Sequence, residues 1–284
     1  LRVIASAVAD AAVDPARRAA FAADLAGLLD GEVTKECRLF ALEQLGRIGA
    51  DEQVPAIAAL LKQPAYFDVA RKALSRVGSE TARAALRAAL RDSQGGARVA
   101  LINDLAVLRD EPSFGVFAKL SHGDEDAETR AAAMAALGRM DGAKAAAVLL
   151  AERDKLGDSE NVRAAWADAL LACGDDLLRQ TKHAAAQEIF ETLLAAVLRP
   201  HLRIAATAGR FACLNDLGGA RLWEALASAD DTLGMAALRA LRTYGNAQHA
   251  ENLATQLPYV ATRFKPVAIV LLADRNVRNA APAL

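Results

Sequence analysis

The feature that most constrains this chain is a spacing. Ala41, Leu45 and Ile48 stand four and three residues apart, on one face of a helix, and Gly49 follows at once. The frame returns as Ala70, Leu74, Val77 and Gly78, and as Leu101, Leu105 and Leu108. It recurs as Ala133, Leu137, Met140 and Asp141, then as Trp166, Leu170, Cys173 and Gly174. Phe211, Leu214 and Asn215 keep most of it, and Ala237, Leu241, Tyr244 and Gly245 restore it. The anchors 45, 74, 105, 137, 170, 211 and 241 are separated by 29, 31, 32, 33, 41 and 30 residues. Five of these six intervals match two short helices with two tight turns, so the chain reads as one helical hairpin repeated. Gly49 stands where a left-handed helix C-cap is expected.

A second apolar pattern follows each stop: VPAIAALL at 54–61, TARAALRAAL at 81–90 and AKAAAVLLAER at 143–153. Pro55 and Pro112 open second helices, where a missing N–H removes no intrahelical bond. Pro64, Pro200 and Pro258 separate one hairpin from the next. The pattern predicts an all-α fold of about eight hairpins with a trailing helix, stacked as an α-α superhelix over residues 1–284. One hairpin cannot bury its apolar face alone, whereas stacked neighbours can. Within this single domain, 1–32 is a degenerate first hairpin split at Asp14-Pro15, and 33–200 holds the regular repeats. The region 201–284 is looser, and its final pattern, FKPVAIVLLADRN at 264–276, lacks a partner helix. The long 170-to-211 interval predicts one extended second helix over 177–198, with Leu178, Ala185, Ile189, Leu193 and Val197 as its apolar stripe.

Composition agrees. Apolar residues make up 54% of the chain but aromatics only 5%; the excess is Ala and Leu, which favour helix over sheet. A formal charge of −1 gives no global field to attract nucleic acid. Cys37, Cys173 and Cys213 are scattered and odd in number, which points to buried small hydrophobes rather than a disulfide framework. No apolar run reaches the ~18 residues of a membrane span. The sequence opens on Leu1 without Met, so a segment excised from a longer polypeptide is expected, and the compartment is not readable.

The strings LGRIGADEQVPAIAALL at 45–61 and LGRMDGAKAAAVLLAE at 137–152 resemble bacterial HEAT repeats of the short, PBS-lyase HEAT-like kind, an armadillo-type fold. The resemblance covers about 33–275. It implies a binding scaffold in which second helices line the concave docking surface. It also implies a structural arginine ladder, here Arg38, Arg98, Arg130 and Arg163, each seven residues before its anchor. Asp51, Asp110, Asp141 and Asp175 are placed to be the acidic partners.

Arg83, Arg87 and Arg91, spaced i, i+4, i+8 on a second helix, form the candidate contact for an acidic partner. The acidic run HGDEDAETR at 122–130 lacks the ligand alternation and glycine of a calcium loop, and reads as helix capping, as does GDSENVR at 157–163. His122, His183, His201 and His249 have no metal-ligand spacing, and no phosphate-loop or nucleophile-elbow motif occurs. Trp166 and Trp223 fall within the helical pattern and read as core.

The expectation is a non-catalytic scaffold for an unidentified protein partner. It needs no cofactor or metal and makes no membrane insertion. Two alternatives carry distinct requirements: a repeat-lyase-type enzyme or chaperone for a tetrapyrrole needs a chromophore groove, and a HEAT-like nucleic-acid binder or repair protein needs a continuous basic face.

Overall fold

The structure, a computed structural model, describes residues 14–122, 125–196, 199–214 and 217–275. The start of the expected first hairpin (1–13), Gly123 and Asp124 of the acidic run, Val197, the Asn215 stop and the end of the last pattern lie outside the described residues. Every regular element among the described residues is helical. The fold is an all-α helical-repeat array, and the chain divides into two compact units at Met140/Asp141.

The first unit contains α1 (Pro15–Asp30), α2 (Lys35–Ile48), α3 (Val54–Ala59), α4 (Phe67–Val77), α5 (Glu80–Asp92), α6 (Gly95–Val107), α7 (Phe114–Leu120) and α8 (Ala127–Leu137). Single turns of 3-10 helix flank α3 and precede α7. The first helices α2, α4, α6 and α8 pack in succession, while the second helices α3 and α5 pack on each other.

The second unit contains α9 (Gly142–Ala151), α10 (Glu160–Arg179), α11 (His183–Ala195), α12 (Pro200–Cys213), α13 (Ala220–Ala227), α14 (Asp231–Tyr244), α15 (Ala247–Gln256) and α16 (Lys265–Asp274). Here α12 packs against both α10 and α14.

Helix starts follow from local chemistry. Asp14, Thr34, Ser79 and Asp126 in the first unit accept bonds from the free N–H groups of the first turn, as do Asp141, Ser159, Asp230 and Asn246 in the second. The anchors Leu45, Leu74, Leu105, Leu137, Leu170 and Leu241 are all buried, at 2% exposure or less. Each such leucine supplies about 1.5–3 kcal/mol of burial.

Two expectations are corrected. Gly49 ends α2 with extended rather than left-handed backbone (φ −63°, ψ 158°). Its N–H returns to the Leu45 carbonyl at 2.8 Å, and a Cβ there would lie 2.5 Å from that oxygen. Close approach, not positive φ, demands glycine at this stop. Among the predicted stops that are described residues, only Gly78 is left-handed, at φ +63°.

The single long helix over 177–198 is absent. Residues 177–179 complete the first helix, α10, which runs through the predicted stop at Gly174. The chain then reverses at Thr181 (φ +59°), and the Lys182 N–H donates to the Leu177 carbonyl at 2.9 Å. The buried stripe of α11 is Ala186, Ile189, Phe190 and Leu193. Helix continues past Gly174 because that glycine lies in the helix interior as a seat for Phe190, whose ring a Cβ would approach to 2.7 Å.

Candidate functional site

The three arginines of α5 do share one flank, but they are not three free cations. Arg83 donates from Nε to the Gly78 carbonyl at 3.0 Å, placing its charge at the C-terminus of α4. Arg87 is held between Glu80 and Asp110, the latter at 2.6 Å. Asp110 is fully buried and also accepts from the Ser113 hydroxyl at 2.5 Å. Arg91 alone is exposed. The stripe is therefore mostly spent within the fold, because the next hairpin presents a buried carboxylate opposite Arg87.

The ladder arginines share a different partner from the one expected. Arg38 donates to the Gly31 carbonyl at 2.9 Å, Arg98 to Ser93 at 2.8 Å, Arg130 to Ser121 at 3.4 Å and Arg163 to Gly157 at 2.8 Å. Each carbonyl belongs to the connection preceding the arginine's own helix. The ladder thus satisfies backbone oxygens where the chain leaves one hairpin for the next. Arg38 also donates to the Tyr66 hydroxyl at 3.1 Å and lies over its ring, and Arg98 pairs with Glu125 at 2.9 Å.

Three of the four expected acidic partners are engaged elsewhere. Asp110 holds Arg87, Asp141 caps α9, Asp175 accepts from Tyr244, and Asp51 sits exposed in a 3-10 turn. Backbone N–H bonds, chiefly from Lys144, hold Asp141 below the usual carboxylate range.

On the opposite flank of α5 lies an open groove of about 810 Å3. Ala85, Ala88 and Ala89 of α5 line one side, and Ala58 and Ala59 of α3 with Leu61 of the 3-10 turn after it line the other. Lys62, Pro64, Phe67 and Asp92 are also on the lining. The run of short side chains keeps the two helices from filling the space between them. In the second unit, Arg163 and Trp166 line a cleft of about 660 Å3 beside the Glu160–Arg199 pair.

The acidic segments cap helices as expected. Asp126 accepts from the Thr129 N–H at 2.9 Å and from Glu128 at 3.1 Å, and these bonds, Thr129 first, lower its pKa. Ser159 accepts from Val162. Burial pushes the thiols up, Cys173 to about 12 and Cys213 to about 11, so neither is a ready nucleophile. Cys37 is partly exposed. Trp166 is buried, with its indole N–H on the Leu149 carbonyl at 2.7 Å, and Trp223 packs partly buried against the core around Leu222 and Leu253. Among the described residues, no group of His, Cys, Asp or Glu could hold a metal ion, and no helix is long and apolar enough to cross a membrane.

Two polar contacts had no signal in the repeat. Arg71 of α4 pairs with Asp104 of α6 at 2.9 Å. Burial raises the pKa of Asp104, and the hydrogen bond from Arg71 opposes the rise. Tyr244 of α14 donates to Asp175 of α10 at 2.5 Å, and burial likewise raises the pKa of Asp175. Arg71 and Asp104 each lie one residue from an apolar frame position and Tyr244 occupies one, and the hydropathy pattern carries no information about a partner.

The chain matches no protein-family model and no curated protein.

Proposed function

We propose that this protein is a non-catalytic, HEAT-like α-solenoid scaffold that binds a protein partner along its second helices. The groove between α3 and α5 carries this reading. It is apolar, open and walled by alanines, so a partner's larger side chains can enter without displacing the fold. The arginine flank does not compete as the primary contact, because Arg83 and Arg87 already have intramolecular partners. The same commitment weighs against a continuous basic face for nucleic acid.

The test fills the groove. Ala88→Trp and Ala89→Trp place bulk where the walls are short, while the buried face of α5 (Ala82, Leu86, Leu90) is untouched. Proteins that copurify with the native chain are identified and their binding to purified variants is measured. Loss of affinity of about tenfold or more, with helicity retained, is expected from blocking an interface centre. Equal affinity of the filled variants for every such protein would overturn the groove as the contact.

A further inference from the structure

The C-terminal overrun of α10 carries two adjacent carboxylates, and each leaves its own hairpin. Asp176 reaches backward: its Oδ2 accepts from the Gly142 N–H, at the start of α9, at 3.2 Å. A Cβ at Gly142 would lie 2.7 Å from that oxygen, so glycine is what admits the contact. Asp175 reaches forward: its Oδ1 accepts from the Tyr244 hydroxyl, at the end of α14, at 2.5 Å. The second contact skips a hairpin. α12 lies packed against both α10 and α14, and those two helices share no broad contact of their own.

From this geometry we infer that the overrun of α10 is a two-way clamp that makes α9 to α14 open as one block. In a repeat array each hairpin contacts mainly its neighbours, so opening runs inward from an end one hairpin at a time. A bond from one hairpin to the next but one changes that order. α14 cannot leave without breaking the Asp175–Tyr244 bond, and α12 is retained between the two helices that bond joins. The bond is well placed to resist local opening, since both partners are partly buried and the acceptor is a carboxylate. The sequence pattern alone predicts the reverse, progressive loosening beyond residue 201.

Native-state hydrogen exchange on the whole chain tests the clamp. Tyr244→Phe removes the donor and keeps the ring. It should speed exchange of core amides roughly tenfold in α12 as well as α14, as loss of one charge-assisted bond implies. Helices α2 to α7 should be unchanged. Asp175→Ala should act alike, and the double variant should be no worse than either single one. Should Tyr244→Phe fail to fold, Asp175→Asn decides the matter, because the amide oxygen still accepts from Tyr244. Its exchange in α12 should then rise, but by less than in Asp175→Ala, since a neutral acceptor keeps the bond at about half its charge-assisted strength. Acceleration confined to the last turn of α14, additive effects in the double variant, or no acceleration of α12 in Asp175→Ala and Asp175→Asn alike would each overturn the clamp.

Discussion

The two units tie hairpin to hairpin by different physics. In the first, the links are ion pairs held partly out of water: Arg71 and Asp104 are each 16% exposed, and Arg87, at 21%, meets a fully buried Asp110. In the second, the pairs between hairpins lie at the surface. Arg263–Asp231 is 42% and 78% exposed, and Arg242–Asp274 spans 3.7 Å. Apart from the Asp175–Tyr244 bond, what interlocks there is shape. The Phe190 ring presses on Gly174 of α10 and Gly209 of α12, and Phe264 presses on Gly234 of α14. A shared repeat length therefore does not imply a shared means of cohesion. Removing a partner should hurt the first unit by stranding a charge and the second by opening a hole.

The largest expected effect lies in the second unit. Phe190→Ala should destabilise by about 3–5 kcal/mol, because a fully buried ring leaves a cavity that two helix backbones cannot collapse into. Denaturant titration measures it, and a loss below about 1 kcal/mol, less than the usual range for such truncations, would mean that the ring is not what locks these hairpins. Next comes Arg87→Ala in the first unit. It leaves Asp110 buried with only the Ser113 hydroxyl, which should destabilise by about 2 kcal/mol. Arg87→Glu should be worse than Arg87→Ala, since it sets two carboxylates together.

Asp126→Ala should destabilise by about 1 kcal/mol at neutral pH through loss of the α8 cap. The folded carboxyl titrates below its unfolded value, near 3.9 for an aspartate. Its contribution is thus present above that value and lost as pH falls through the lower, folded one. Melting curves of variant and native chain should converge in acid. The smallest effect is expected for Arg263→Gln, within about 1 kcal/mol, and 1 M salt should erase most of it. Comparable salt sensitivity in Arg87→Ala would remove the distinction between the units.

Much of this contrast could not be read from residue order. The anchors were legible because a helix repeats its faces every 3.6 residues, so Leu45 to Leu241 announce their burial by spacing alone. Capping was legible at Asp126 and Ser159, since the capping bond spans only two or three residues. The pairing of Arg87 was not legible, for the converse reason. Spacing says which flank of α5 it occupies, but Asp110 opposite lies 23 residues away and outside any period. Gly174 looked like Gly49 and behaves otherwise, because what continues α10 is a ring on another helix. The candidate groove was not legible either: alanines in α3 and α5 read as helix formers, and the volume between them is a property of the pair.

Phe190 between two glycines also restricts the routes by which this sequence can change. A Cβ at Gly209 would stand 2.3 Å from the ring, and one at Gly174 2.7 Å. Enlarging either glycine is therefore costly while Phe190 keeps its ring, and shrinking Phe190 leaves a cavity that a larger residue at 174 or 209 would refill. The three sites form a reciprocal lock in which each single step is penalised and the matched pair is not. Variants that survive selection should carry these substitutions together, in two helices whose residue numbers give no hint of their dependence.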